Sequence, residues 1–234
     1  GLVEDGATHQ GVFDIAYLRT IPRMVSMAPA DENDMQHMLY TAVNLNGPAA
    51  IRYPRGKAVG VQMDEELRAL PIGRGEVVRD GSDVTLVGLG TMLQACLGAA
   101  EDLAREGISA MVINPRFIKP LDEDLLVRAA RVTGAVVTVE EASLAGGFGS
   151  AVLECYSQHG IAPVVKRLGI PDEFVGHGAP KYYLEQYGLT PAGVAAAARE
   201  LVGRVRSELE GRRRGGKSRP APALVGDRAS GLED

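Results

Sequence analysis

The sequence predicts an α/β protein with a mostly parallel sheet, and three observations predict it. From Asp83 to Leu168, short apolar runs alternate with longer stretches of helical period, the pattern of successive strand and helix units. The runs, such as Val84-Thr85-Leu86-Val87 and Ala135-Val136-Val137, are continuous rather than alternating, which marks strands covered on both faces. A separate strand, helix, strand unit lies earlier, between Met24 and Tyr53.

Taken in order, the chain opens on a polar loop, Glu4 to Gly11, whose glycines allow sharp turns. Val12 to Arg19 is expected as a short helix, stopped near Pro22, and Met24 to Met27 as a strand. Asp31 caps the next helix, with Glu32 and Asp34 in its first turn and Met35, Met38, Leu39 and Ala42 as its expected buried face. Ala49 to Tyr53 completes the unit as a parallel strand. Residues 61–80 read as a linker, because charge, glycine and Pro71 mix there without a sustained period.

The regular part follows. Strands are expected at Val84–Gly90, Ala110–Asn114, Ala135–Val139 and Val164–Leu168, and helices at Thr91–Glu106, Asp122–Val132 and Gly146–His159. Pro180–Tyr187 and Pro191–Val205 close the fold, each helix with proline in its first turn. The domain expectation is therefore 1–60, a linker at 61–80, a second domain at 81–205, and a basic, disordered tail at 206–234.

Composition limits function. The 234 residues are 45% hydrophobic, with a formal charge of -5 and a pI near 5.5, so no nucleic-acid or membrane partner is expected. Cys96 and Cys155 are too far apart for a CxxC pair and lie in apolar helical patterns, as reduced core thiols of a cytoplasmic protein do. No apolar run reaches membrane-spanning length, and no metal-ligand spacing is present.

Three residues carry the chemistry. Asp5 and His9 place a carboxylate and an imidazole in one glycine-bounded loop, where a group that titrates near neutral pH can move a proton. Arg55 lies just past the carboxyl end of the strand Ala49–Tyr53, where open parallel sheets bind ligands, and a guanidinium there can grip a phosphate bidentately. Arg52, inside the strand, is expected in a structural ion pair. Gly146 to Ser150 meets no phosphate-loop pattern, so tight packing is expected of it, and Glu140 and Glu141 are expected to cap or pair. His37 reads as solvated or half-buried, His159 as a helix-end residue, and His177 receives no role.

These residues resemble a known family. Asp5-Gly6-Ala7-Thr8-His9-Gln10-Gly11, Met27-Ala28-Pro29-Ala30-Asp31-Glu32-Asn33, Arg52-Tyr53-Pro54-Arg55-Gly56, Arg116-Phe117-Ile118-Lys119-Pro120-Leu121-Asp122 and Gly169-Ile170-Pro171-Asp172 are similar to the C-terminal part of the 1-deoxy-D-xylulose-5-phosphate synthases, within the transketolase-like superfamily. The resemblance implies a partial pyrimidine-binding domain followed by a transketolase C-terminal-type domain. It implies a homodimeric transferase that uses thiamine diphosphate and Mg2+ to condense pyruvate with D-glyceraldehyde 3-phosphate, feeding isoprenoid and thiamine biosynthesis. His9 then faces the pyruvate-derived adduct, Asp5 orients substrate, and Arg55 holds the aldehyde's phosphate. The cofactor and metal are expected on an N-terminal remainder of the same enzyme, upstream of Gly1. The loop is also one residue shorter than the Gly-Leu-Val-Gly-Glu-Asp-Gly of relatives. Two alternatives stand beside this reading: a β subunit of a 2-oxo acid dehydrogenase or a transketolase C-terminal half, and a non-catalytic interaction module.

Overall fold

The computed structural model describes residues 1–215 and contains two sheets. The first has three strands in the order β2-β1-β6, and the second has five in the order β3-β5-β4-β7-β8.

In the N-terminal part, helix α1 (Asp14–Thr20) leads to β1 (Val25–Met27), α2 (Glu32–Val43) and β2 (Ala49–Ile51). β1 and β2 pair in parallel, so the crossover expected from the sequence forms. Asp31 caps α2 by accepting from the Asp34 N–H. The buried face of α2 differs from expectation: it is Asp34, His37, Met38 and Thr41, while Leu39 is exposed. Each polar member of that face has a partner. Asp34 accepts from Asn114 and pairs with Arg116 at 3.1 Å, His37 Nε2 meets Asp64 at 2.7 Å, and Thr41 Oγ1 accepts from the Leu70 N–H. His37 is thus 1% exposed rather than solvated. Helix α2 acts as the strip onto which residues 59–70 are stitched, with Glu32 accepting from the backbone N–H groups of Val59, Gly60 and Val61.

Within the region read as a linker, β3 (Glu76–Arg79) forms the edge of the large sheet and pairs antiparallel with β5 (Ala110–Asn114). The three other pairings of this sheet are parallel and involve β4 (Val84–Gly88), β5, β7 (Ala135–Ser143) and β8 (Val164–Ile170). Every residue of β4 and β7 is buried. One face packs on α3 (Met92–Arg105) and α7 (Pro191–Gly215) through Leu86, Val137, Leu103, Val194 and Leu201, and the other on α4 (Glu123–Thr133) and α5 (Phe148–Gln158). α6 (Pro180–Gln186) lies between β8 and α7 in the chain.

α7 corrects the expected tail. It runs to Gly215 rather than ending at Val205, because residues 206–215 carry four arginines and two glutamates, which are strong helix formers. The remainder of the basic tail lies outside the described residues. The buried, free thiols of Cys96 and Cys155 match the expectation. Among the described residues no helix is long and apolar enough to cross a membrane.

The sequence gives no hint of β6 (Phe117–Lys119), which pairs antiparallel with β1. A strand from the later part of the chain thereby joins the N-terminal sheet, and the opening loop is fixed against both.

Candidate active site

The opening loop closes on itself. The Gly11 N–H donates to the Gly1 carbonyl at 3.0 Å, and Gln10 makes a side-chain imitation of a strand pair, accepting from the Val3 N–H at 2.8 Å and donating to the Val3 carbonyl at 2.9 Å. Leu2 and Val12, at the two ends, are buried with Ile170, Val175 and Tyr183. The apolar ends anchor the loop, and its polar tip stays in solvent. Gly6 adopts φ +91°, a conformation that L side chains rarely take, and the turn it makes is closed by the His9 N–H donating to the Gly6 carbonyl.

The structure brings Asp5 and Arg55 together. Arg55 Nη1 donates to Asp5 Oδ2 at 2.6 Å, with the guanidinium 76% and the carboxylate 42% exposed. His9 is exposed on the same loop, its Nδ1 3.0 Å from Thr8 Oγ1, and its Nε2 has no partner among the described residues. The arrangement offers an acid, an imidazole and a guanidinium with unused donors, all open to a small anionic ligand.

Sequence reasoning missed how later segments cradle this loop. Gly178 N–H donates to the Glu4 carbonyl at 3.3 Å, Gln10 Nε2 to the Gly176 carbonyl at 3.2 Å, and Ser143 N–H to the Val12 carbonyl at 2.8 Å. His177, given no role from sequence, lies beside Gly6, within ordinary van der Waals contact of where a Cβ on Gly6 would stand. The Leu2 N–H donates to Glu141. Arg52 forms the structural ion pair expected of it, with Asp14 at 2.8 Å, and also donates to the carbonyls of Gly11 and Glu141. Only the glycines and the Gly-His-Gly triplet could have signalled these contacts, since they span most of the chain.

The second glycine-rich turn behaves as expected. The N–H groups of Phe148 and Gly149 donate to the Glu140 carboxylate at 2.6 and 2.8 Å, so they are not available to an outside anion. A Cβ at Gly147 would lie 2.3 Å from Glu140 Oε2 and from the Ser143 carbonyl. Burial pushes the Glu140 carboxyl up to about 7, against the opposing pull of the two N–H donors. No described residue here forms a cradle for a diphosphate.

Away from the loop, Glu123, Cys155 and His159 gather ligand atoms within 4.8 Å of one another, a grouping across two helices that sequence spacing does not reveal. His159 Nε2 pairs with Glu123 at 2.8 Å, and burial followed by the Glu123 charge pushes the Cys155 thiol up to about 11, which keeps it protonated. The trio is accounted for as a histidine–carboxylate contact beside a core thiol.

Known proteins resemble this chain along most of its length. Residues 73–194 match the model of the transketolase C-terminal domain, and residues 1–59 that of the transketolase pyrimidine binding domain. The chain belongs to the transketolase family. Its transketolase-type fold is shared with a solved structure described as a split gene transketolase, inactive beta4 tetramer, at 39% identity and a TM-score of 0.75, covering 84% of this chain and 63% of that one. A transketolase mutant from Pichia stipitis, 21% identical with a TM-score of 0.65 over 87% of this chain and 29% of that one, shares the fold. Among curated proteins, the chain is 65% identical over 231 residues to 1-deoxy-D-xylulose-5-phosphate synthase of Symbiobacterium thermophilum, covering 99% of this chain and 36% of that protein. It is 54% identical over 222 residues to the same-named protein of Heliobacterium modesticaldum, covering 95% of this chain and 34% of that protein. The motifs singled out above therefore point to the group of transketolase relatives that these names describe. The chain spans about a third of the length of these curated relatives.

Proposed function

We propose that this chain forms the substrate-facing part of a thiamine-diphosphate-dependent synthase that condenses pyruvate with D-glyceraldehyde 3-phosphate to 1-deoxy-D-xylulose 5-phosphate and CO2. One observation carries the reading: Arg55, four residues past the end of the parallel strand β2, which stops at Ile51 rather than the expected Tyr53, reaches the acid of the Asp5 to His9 loop at 2.6 Å. The synthase names of the most similar curated relatives support it.

In this reading the cofactor and Mg2+ are held by an upstream part of the enzyme, since the loop offers no diphosphate cradle. When bound, thiamine diphosphate supplies the electron sink. The residues of this chain bind, orient and exchange protons. Arg55 binds the phosphate of the aldehyde through its free donors, a fork geometry suited to that group. Asp5 steers the guanidinium and orients the substrate between them. His9 Nε2 donates to or accepts from the oxygen at which charge develops. The enzyme is a cytoplasmic homodimer whose product feeds isoprenoid and thiamine biosynthesis.

Arg55→Ala in the complete enzyme tests the assignment. The KM for the aldehyde phosphate should rise by about tenfold or more while that for pyruvate stays near wild type, as expected for a charged hydrogen-bonded contact to one substrate. A change confined to pyruvate kinetics would remove Arg55 from the phosphate site.

A second reading is supported by the likeness to the split gene transketolase, in which this chain would be a separately encoded subunit. Mass measurement of the native complex separates the two: one long polypeptide supports the first, and a companion chain supports the second.

A further inference from the structure

We infer that Arg52 is a positioning residue that sets where His9 stands. This inference rests on the function proposed above, with His9 acting on substrate. The RYPRG stretch holds two arginines with opposite surroundings. The Arg55 side chain is 76% exposed and has one partner among the described residues, whereas that of Arg52 is 13% exposed and reaches three elements. Its Nε donates to Asp14 Oδ2 at 2.8 Å, at the start of α1. Its Nη2 donates to the Gly11 carbonyl at 2.9 Å and to the Glu141 carbonyl at 2.5 Å. Arg52 therefore touches neither the loop tip nor the solvent that a substrate would displace. It joins the exit of the catalytic loop, the helix that follows, and the end of β7.

This joint bears on chemistry because of what it holds. Gly11 is two residues beyond His9, and the segment between them is Gln10, whose side chain ties the loop back to Val3. At the tip, the loop's other arginine contact is the Asp5–Arg55 pair, which is exposed and must loosen when Arg55 takes a phosphate. Arg52 is thus the arginine that keeps the loop in place while Arg55 is occupied elsewhere. It fixes the loop to β7 of the C-terminal domain, whose Glu141 also receives the Leu2 N–H at the loop's entrance. The C-terminal domain, which contributes none of the proposed reacting groups, would in this way govern the placement of the imidazole.

Arg52→Lys separates this role from general stability. A lysine keeps a positive charge for Asp14 but has no planar fork with which to meet two carbonyls and a carboxylate. In the complete enzyme, kcat should fall about 10²-fold, the cost of a displacement near 1 Å, with the KM for the aldehyde phosphate within about threefold of wild type. Amide exchange should quicken about tenfold in a peptide covering residues 4–11 and stay unchanged in one covering β4. A wild-type kcat in Arg52→Lys, or exchange that quickens equally in both peptides, would overturn the inference. Should this variant fail to fold, Arg52→Gln, which keeps donors without charge, is read by the same two measurements. The exchange arm stands apart from the proposed reaction. If the wild-type enzyme makes no phosphorylated ketose and no CO2 from the two substrates, the functional reading fails, while loop exchange still reports whether Arg52 places the loop.

Discussion

Two glycine-rich turns of this chain carry acids nearby, and they differ in where their hydrogen-bonding groups go. At Gly146 to Ser150 the backbone N–H groups of Phe148 and Gly149 are held by Glu140, the Ser150 hydroxyl donates to the Leu144 carbonyl, and a Cβ at Gly147 has no room. At Glu4 to Gly11 the backbone is tied down equally well, but Asp5 and His9 project into solvent, and the arginine that meets Asp5 is mostly exposed. The first turn is closed upon itself, whereas the second is a rigid frame presenting unused polar groups. Under the proposed function it is exposed side chains on a tied-down backbone, and not glycine content alone, that set the second turn apart.

Four changes test this contrast, from the largest expected effect to the smallest. His9→Ala should lower kcat of the complete enzyme by about 10²- to 10⁴-fold, the usual range for a lost proton-transfer group, with its Tm unchanged. An unaltered kcat would return His9 to the class of loop residues that only satisfy their neighbours. Gly147→Ala should act in the opposite manner, costing about 1–3 kcal/mol of stability through overpacking against Glu140 and Ser143, as read by denaturant unfolding. Glu140→Gln should flatten the pH dependence of stability. Because the folded carboxyl releases its proton near 7 rather than the ordinary 4.5, its contribution is fully present below about 4.5 and is lost as pH rises through about 7. Unfolding curves at pH 5, 6, 7 and 8 check this, and an identical slope in wild type and variant would show that Glu140 stays ionised. Asp5→Asn should shift stability by only about 0–1 kcal/mol, since its pair with Arg55 is exposed, while still weakening binding of the aldehyde phosphate.

Much of this was legible in advance, for reasons that differ by element. β4, β5 and β7 announced themselves as continuous apolar runs, and Asp31 as a helix cap, because each signal is local. β3 and β6 did not. They have four and three residues, too few to display a period, and their partners are far away in sequence. The buried face of α2 was misread because hydrophobic periodicity cannot register buried polar residues such as Asp34, His37 and Thr41, whose partners come from distant segments. At the site, Asp5, His9 and Arg55 could be chosen from residue type and strand-end position. Arg52's reach to Gly11 and Glu141, and the bracing by Gly176 and Gly178, depend on contacts that only the fold creates.

The antiparallel pairing of β6 with β1 has a consequence for biosynthesis. Met27 leaves the ribosome long before Phe117, its partner across the sheet. Until then the edge of β1 that β6 takes in the finished fold has no β6 beside it. The nascent chain must therefore keep that edge from pairing with other chains while the second domain is being made.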